Sequence, residues 1–267
     1  MNDIVKNSGK VYLIGAGPGD PKLITVKAVD ALHASDVIVY DYLVNPEILA
    51  YARRGAELVY AGKPAANPTY SQDEINSILI GRALTGQIVA RLKGGDPFIF
   101  GRGGEEAEAL AEAGISWEVI PGVSAGLAAA SYAGIPLTHR NYASSVAFIT
   151  GQESSNRKEK IDWSVVGYMA ETLVIFMCSK TITRIARDII AGGRAPTTPI
   201  AIIRWGTYKF QEVYSGTLEE LVDIEFMPEP PAIAIIGDVV LLKEKLRWFG
   251  LRSLEHSLSS LTVGRKS

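Results

Sequence analysis

The first half of the chain alternates short apolar runs with segments whose apolar residues recur at helical spacing. The apolar runs predict strands at residues 10–14, 36–40, 57–61 and 87–92. Between the first two strands, Leu23, Val26, Val29 and Leu32 predict a helix with one buried face. Strands and helices in regular alternation are typical of a parallel sheet that is covered by helices on both sides.

Local signals mark the starts of further helices. Ser71 and Glu74 have the spacing of a capping box, in which two side chains satisfy backbone N–H groups at a helix start. Pro46 predicts the start of a helix that runs to Arg54, and an Ala-, Glu- and Leu-rich segment predicts another at residues 104–113. The loops of this half therefore join strands to helices.

The second half has a different pattern, in which strands dominate and their connections are short. These strands are predicted at residues 145–150, 172–177, 199–204, 211–215 and 232–236. One helix is predicted at residues 181–190, closed by Gly192 and Gly193. This pattern favours a mixed sheet.

The predicted fold class follows from these two patterns. We expect two α/β domains, with a mostly parallel sheet in the N-terminal domain, a mixed sheet in the C-terminal domain and a cofactor cleft between them. The domains are expected at residues 10–142 and 143–249. Residues 1–9 and the Ser- and charge-rich residues 250–267 are expected to be flexible tails.

Residues 119–138 carry no charge over about the length that spans a bilayer. Prolines and glycines break this segment at Pro121, Gly122, Gly126, Gly134 and Pro136. It is therefore expected to form a strand end, a short Ala-rich helix and a turn rather than a membrane helix. Its small residues suit a buried crossover helix, including one at a subunit interface.

Composition narrows the function without identifying it. The chain has 267 residues, 47% of them apolar, and a formal net charge of −2, which argues against a polybasic nucleic-acid binder. Cys178 is the single cysteine, so an intramolecular disulfide is impossible, and the reduced cytoplasm is the expected compartment. The three histidines are scattered without metal-ligand spacing, and no metal site is expected.

Residues 91–104 contain glycines and charges where a scaffold would have apolar residues. The glycines of this stretch are Gly94, Gly95, Gly101, Gly103 and Gly104. They let backbone groups approach a ligand closely, while Asp96 and Pro97 fix a turn. Because the stretch joins a strand to a helix, it is interpreted as a binding loop rather than a plain connector.

A second glycine-rich turn, at residues 15–21, follows the first strand and invites comparison with dinucleotide-binding loops. Asp20 stands where such a loop needs a third glycine, and Pro18 stiffens the turn. Asp41 does end the second strand, where a ribose-binding acid would lie. A nicotinamide-dependent oxidoreductase therefore remains an alternative at this point.

Several motifs together carry a resemblance to a known family. They are Gly15 to Pro21, Tyr40-Asp41, Arg91 to Glu106, Pro121 to Ala125 and Gly134 to Arg140. Through these motifs the chain resembles the uroporphyrinogen-III C-methyltransferases of the tetrapyrrole methylase family. The resemblance extends from residue 10 to about residue 249. The resemblance implies transfer of methyl groups from S-adenosyl-L-methionine to two rings of uroporphyrinogen III. The products would be S-adenosyl-L-homocysteine and precorrin-2, which serves sirohaem or cobalamin synthesis. It also implies a homodimer, with no membrane or nucleic-acid partner.

The resemblance also assigns residue roles. It places cofactor contacts at Pro18, Gly94, Gly95, Asp96, Ile99, Ser124, Ala125, Met177, Gly206 and Ala232. It places a proton acceptor and donor at Asp41 and Lys63, which would otherwise be interpreted as solvated loop charges. The anionic substrate would need cations, for which Arg91, Lys93, Arg102 and Arg140 are available, although Arg91 could equally form a structural ion pair.

Two departures from the family pattern concern the substrate. Tyr42 stands where relatives usually have Arg, and Pro68 stands where they have His. A sister methyltransferase that acts on a later corrin intermediate therefore remains an alternative. A binding or regulatory module without catalysis is a third possibility, against which the intact Gly94-Gly95-Asp96-Pro97 loop argues.

Overall fold

The computed structural model describes residues 9–62, 70–152, 160–250 and 254–261. The chain divides into two compact units between Ala125 and Gly126, earlier than the boundary expected after residue 142. The reason is the packing of the Ala-rich helix, in which Gly126 is so close to Phe176 that a Cβ atom there would lie 2.5 Å from the ring. This helix therefore packs on the second unit.

The first unit contains strands and helices in the predicted alternation. They are β1 (Lys10–Gly15), α1 (Val26–Ala34), β2 (Val37–Tyr40), β3 (Glu57–Tyr60), α2 (Gln72–Leu84), β4 (Ile88–Lys93), α3 (Gly103–Glu112) and β5 (Ser116–Ile120). The sheet order is β3-β2-β4-β1-β5, and every paired strand is parallel to its neighbour. The predicted parallel sheet is confirmed.

Helices cover both faces of this sheet. Val11 and Leu13 of β1 face a core that α2 and α3 complete, whereas Ile14 faces a second core that contains Leu32 of α1. Side chains of a strand point alternately to opposite faces, so each strand contributes to both cores. The capping box of α2 is present, with the Ser71 side chain accepting from the Glu74 backbone and the reverse bond also formed.

Two local expectations for this unit were wrong. Val26 is 79% exposed, because Thr25 caps α1 and places Val26 at the first helical position, on the outer side. The segment that begins at Pro46 is a short 3-10 helix that ends at Tyr51 rather than a longer helix to Arg54. Neither difference affects the sheet.

The second unit is built on a mixed sheet. Its elements are α4 (Ala125–Tyr132), whose first residue is the last of the first unit, β6 (Val146–Thr150), α5 (Trp163–Val166), β7 (Thr172–Phe176), α6 (Ile182–Ala191), β8 (Pro199–Arg204), β9 (Glu212–Thr217), α7 (Leu218–Ile224), β10 (Ala232–Ile236), α8 (Lys243–Leu246), β11 (Leu254–Ser257) and α9 (Leu258–Leu261). The order is β11-β9-β8-β10-β7-β6, with parallel pairs at the two edges and antiparallel pairs between them. The predicted mixed sheet is confirmed.

Part of the segment that was expected to be a loose tail is ordered instead. Residues 254–257 pair with β9 as a parallel edge strand. Leu258 follows at once and is fully buried in the core of the second unit. A short apolar anchor among polar residues gave no periodic signal in the sequence.

The uncharged segment at residues 119–138 is divided as expected. Strand β5 ends at Ile120, α4 spans only Ala125–Tyr132, and Gly134 has a positive φ of 73° after it. Across the described part of the chain, no helix combines the length and the apolar character that crossing a membrane requires.

Burial makes the only cysteine thiol unreactive. Cys178 is fully buried, and this burial raises its pKa to about 12. Because the thiolate is the reacting form, we expect a maleimide to leave Cys178 unlabelled in the native protein at mildly alkaline pH and to label it fully in denaturant. Labelling of the native protein as fast as that of the denatured chain would contradict this burial.

Candidate active site

The carboxyl ends of β1 and β4 form a switch point in the parallel sheet. These strands are neighbours, but the chain leaves β1 toward β2 and leaves β4 toward β5, on the opposite side. The connecting helices lie on opposite faces, since α1 belongs to one core and α3 to the other. Ligand sites of open α/β sheets form in such a crevice.

The two glycine-rich loops cross at this point through their backbones. Gly17 donates its N–H to the carbonyl of Gly95 at 3.1 Å, and Gly95 donates to the carbonyl of Gly17 at 2.7 Å. Gly95 has a positive φ of 69°, which favours glycine there. The two loops predicted separately from the sequence therefore form one structure.

The loop after β5 joins the same crossing. A Cβ atom on Gly122 would lie 2.3 Å from the Gly95 carbonyl oxygen and 2.7 Å from Cα of Gly15. A Cβ atom on Gly15 would lie 2.4 Å from the Gly122 nitrogen. Only glycine fits at these two positions, so three loops meet with backbone against backbone.

Asp96 ties this crossing together. Its Oδ1 accepts from the backbone N–H of Phe98 at 2.8 Å, and its Oδ2 accepts from the N–H of Gly122 at 3.0 Å. The carboxylate is only partly buried. Asp96 fixes two loops and also adds a negative charge at the carboxyl ends of the central strands.

Four charged side chains form a network beside the crossing. Arg91 and Lys93 point from β4 to the face that α2 and α3 cover, and both are buried. Nε of Arg91 donates to Oε1 of Glu106 at 2.9 Å, and Nη2 donates to Oδ1 of Asp41 at 2.6 Å. Nζ of Lys93 donates to the same Glu106 oxygen at 2.8 Å. Of the four side chains, Asp41 alone keeps substantial exposure, at 28%.

The strand registry explains why these groups meet. Asp41 follows β2 directly and continues the face of Val37 and Val39, and Val39 is paired with Arg91. Glu106 lies in the buried stripe of α3, between Gly103 and Leu110. A glutamate therefore occupies a core position above two buried cations.

The charges shift one another's protonation. Burial and the Arg91 charge lower the pKa of Lys93, against the opposing effect of Glu106 and Asp41. Burial alone would raise the pKa of Glu106, but Arg91 and Lys93 lower it below its ordinary value. Burial alone would lower the pKa of Arg91, but Asp41 and Glu106 raise it. Arg91 and Glu106 therefore remain a charged pair.

This burial argues against the expectation that Arg91 and Lys93 bind substrate directly. Arg91 is 2% exposed and Lys93 is 3% exposed, and both are committed to carboxylates of this chain. The alternative of a structural ion pair, which the sequence left open for Arg91, describes both residues.

The other expected cations differ from these two. Arg102, at the start of α3, pairs with Glu105 on the surface, at 2.5 and 2.9 Å. Arg140 is exposed in a tight turn closed by backbone bonds between His139 and Ala143. Lys63 lies outside the described residues.

The expected cofactor residues of the first unit lie around the crossing. Pro18 and Gly94 flank Gly17 and Gly95 and are partly buried, Ile99 is exposed beside the loop, and Ser124 is buried directly before α4. The Ala125 nitrogen lies 3.6 Å from where a Cβ atom on Gly95 would stand. These residues therefore lie together at the carboxyl ends of the strands of the first sheet.

In the second unit, three of the expected cofactor-binding residues lie at the same end of neighbouring strands. Ala232 begins β10, whose next residue pairs with Phe176, so Ala232 lies beside Met177. Ala232 also pairs with Arg204 at the end of β8, close to Gly206. Met177 has a positive φ of 51° and is 46% exposed. The structure brings together three residues that are far apart in sequence.

Sequence reasoning assigned no role to Glu106, to Gln72 or to the close approach of Gly15 and Gly122. For Glu106 a signal was present, since a charged residue occupies the buried stripe of a helix that is otherwise amphipathic. Gln72 gave no such signal, although its Nε2 donates to Oε1 of Glu106 at 3.2 Å.

A family model, sequence relatives and a solved structure were compared with this chain, and all three indicate tetrapyrrole methylases. Residues 10–222 match the family model of the tetrapyrrole (corrin/porphyrin) methylases. A siroheme synthase of Blochmanniella pennsylvanica is 46% identical over 97% of this chain, which spans 55% of that protein. A uroporphyrinogen-III C-methyltransferase of Priestia megaterium is 48% identical over 87% of this chain and 98% of its own length. The crystal structure of the Thermus thermophilus uroporphyrin-III C-methyltransferase with S-adenosyl homocysteine superposes with a TM-score of 0.77 at 38% identity, over 88% of this chain and 100% of that one.

The fold is that of an α/β protein, and its candidate small-molecule site lies at the switch point of the parallel sheet. Within that class, the chain belongs to the tetrapyrrole methylase family.

Proposed function

We propose that this chain transfers methyl groups from S-adenosyl-L-methionine to two rings of uroporphyrinogen III and so forms precorrin-2. The relatives that share its length and nearly half of its residues have this activity in their names. The observation on the chain itself that supports the proposal most is the glycine crossing beside Asp41, which presents backbone groups and one carboxylate in place of a phosphate-binding loop.

The residues at the crossing fit an S-adenosyl cofactor better than a dinucleotide. Asp20 uses Oδ1 to cap the 3-10 helix at Pro21–Leu23, and this carboxylate would repel a pyrophosphate group in the first loop. A sulfonium cation has no such conflict with Asp96. When bound, S-adenosylmethionine supplies an activated methyl group, so the protein needs no nucleophile of its own.

The role proposed for this chain is to orient the reactants and to accept a proton. The macrocycle carbon forms its bond to the methyl group as the methyl–sulfur bond breaks, and the macrocycle then loses a proton. Asp41 is the proposed acceptor, and two observations support this role: Arg91 fixes one carboxylate oxygen, and the side chain remains partly exposed. Lys63 remains the proposed donor.

The substrate carboxylates are proposed to bind Arg102 and Arg140. The surface pair of Arg102 with Glu105 stabilises the fold little and is easily exchanged for a stronger partner. We expect Arg102→Ala to raise the substrate KM about tenfold, the loss of one charge-assisted contact, with less change in cofactor affinity. Added salt should reproduce part of the defect.

Arg184→Ala is the matched control for this substitution. Arg184 forms a similar exposed pair with Asp188, on a helix of the second unit. An unchanged KM in Arg102→Ala, or a loss limited to cofactor affinity, would assign Arg102 to local structure.

Product analysis tests the proposed reaction. Purified protein, uroporphyrinogen III and S-adenosylmethionine should give a product that gains two methyl groups by mass spectrometry. No gain with this substrate, but methylation of a later precorrin, would select the sister methyltransferase. Calorimetry should show binding of S-adenosylhomocysteine and none of NAD(P), and the reverse result would favour the oxidoreductase.

The assembly and the compartment are part of the same proposal. The chain is proposed to act as a homodimer in the cytoplasm. Sedimentation equilibrium should give twice the chain mass of 28.8 kDa. A monomer that retains full activity would remove the dimer from the proposal.

A further inference from the structure

The network beside Asp41 contains a carboxylate that cannot reach any reactant. Glu106 is fully buried, whereas Asp41 remains partly open to solvent. Three donors, from Arg91, Lys93 and Gln72, converge on Oε1 of Glu106 at 2.9, 2.8 and 3.2 Å. Glu106 is therefore held rigidly, and its effect on chemistry must pass through its neighbours.

Lys93 is the neighbour that matters, because two carboxylates compete for it. Its Nζ lies 2.8 Å from Oε1 of Glu106 but 3.9 Å from Oδ2 of Asp41, which is too far for a hydrogen bond. Oδ1 of Asp41 is already engaged by Arg91. Within the described ranges, Oδ2 accepts no hydrogen bond.

We propose that Glu106 is a positioning residue that holds Lys93 away from Asp41 and thereby keeps Oδ2 of Asp41 open to accept the substrate's proton. This inference rests on the proposed function, which makes Asp41 the acceptor. The charged groups around Lys93 are Arg91 on its own strand, Glu106 on α3, Asp41 after β2 and, beyond ion-pair distance, Glu105 on α3. The charges of the two cations and the two carboxylates in the network sum to zero. If Glu106 loses its charge, one buried positive charge is left without a partner.

The consequence of that loss follows from the cost of an unpaired buried charge. With Gln at position 106, Asp41 would be the only carboxylate left within 4 Å of Lys93, and an unpaired buried cation is strongly unfavourable. Lys93 would then close the 3.9 Å gap and occupy Oδ2. Replacing Lys93 by Met as well would remove the competitor and restore neutrality, with Arg91 paired to Asp41.

A double-mutant cycle tests this mechanism. We expect Glu106→Gln to lower kcat about tenfold or more, as expected when a proton acceptor is obstructed, with substrate KM and S-adenosylhomocysteine affinity within about twofold of wild type. The double variant Glu106→Gln, Lys93→Met should recover most of the lost kcat. A purely structural role for Glu106 gives the opposite result, with lower thermal stability, weaker cofactor binding and losses that add in the double variant.

Two further variants complete the experiment. Glu108→Gln is the matched control, since Glu108 is exposed on the same helix. If Glu106→Gln does not fold, Glu106→Asp keeps the charge but withdraws it from Lys93, and its kcat should fall while substrate KM and S-adenosylhomocysteine affinity stay within about twofold of wild type. A wild-type kcat in Glu106→Asp, or no recovery in the double variant Glu106→Gln, Lys93→Met, overturns the inference. Failure of the wild-type protein to methylate uroporphyrinogen III would instead overturn the proposed function.

Discussion

Replacing Asp41 by Asn should lower kcat by about a hundredfold or more, the usual contribution of a general base, while S-adenosylhomocysteine still binds. Asn keeps the size of the side chain and can still accept a hydrogen bond from Arg91, but it cannot take a proton. Because the interaction lost is made in the transition state, kcat and kcat/KM should fall together. Product analysis of the slow variant should show mono-methylated macrocycle.

The same substitution at an exposed aspartate provides the control for Asp41→Asn. Asp30 lies on the exposed side of α1, and Asp30→Asn should leave all kinetic constants unchanged. The Asp41→Asn variant also leaves one more positive charge than negative charge in the network, so its thermal midpoint has to be measured beside its kinetics. If kcat survives and only KM rises, Asp41 is a substrate ligand and the base lies elsewhere.

Replacing Gly122 by Ala should abolish most of the activity, although it adds a single methyl group. That methyl would stand 2.3 Å from the Gly95 carbonyl oxygen, so one of the three crossing loops must move. A displacement of about 1 Å in a positioning element can cost about a hundredfold in kcat/KM. Overpacking of this kind should also destabilise the fold by about 1–3 kcal/mol.

Gly81→Ala makes the same chemical change in open space. Gly81 lies on the exposed side of α2, where an added Cβ atom has no neighbour within 4 Å. Helix propensity predicts a gain of about 0.5–1 kcal/mol in the free energy of unfolding, with activity unchanged. A Gly122→Ala protein with wild-type binding of S-adenosylhomocysteine and wild-type activity would show that the crossing does not shape the cofactor site.

Most of the architecture was predictable because it depends on local patterns. The bounds of β8 and β10 agree with the apolar runs residue by residue, and the capping box at Ser71 and Glu74 forms as its spacing indicates. Val26 was misplaced because helical spacing alone does not say where a helix begins, and the Thr25 cap decided that.

The candidate site was predictable only in part. The glycine loops were visible as residue types, but their mutual approach depends on β1, β4 and β5 being neighbours, which no short stretch encodes. The burial of Arg91 and Lys93 was not predicted, although a structural ion pair had been left open for Arg91 and charged side chains are rarely fully buried without a partner. Their partner, Glu106, lies on the following helix and becomes recognisable only when the sheet and α3 are assembled.

The strand order of the second sheet also sets the order in which the chain can fold as it is synthesised. Strand β10 lies between β7 and β8, although it follows both in the sequence. The first sheet needs only residues 10–120, so it can close while the ribosome is still making the second unit. Until Ile236 has emerged, β7 and β8 lack the strand that joins them. A nascent chain stalled at residue 222, where the family match ends, should therefore carry one folded unit and one that chaperones still recognise.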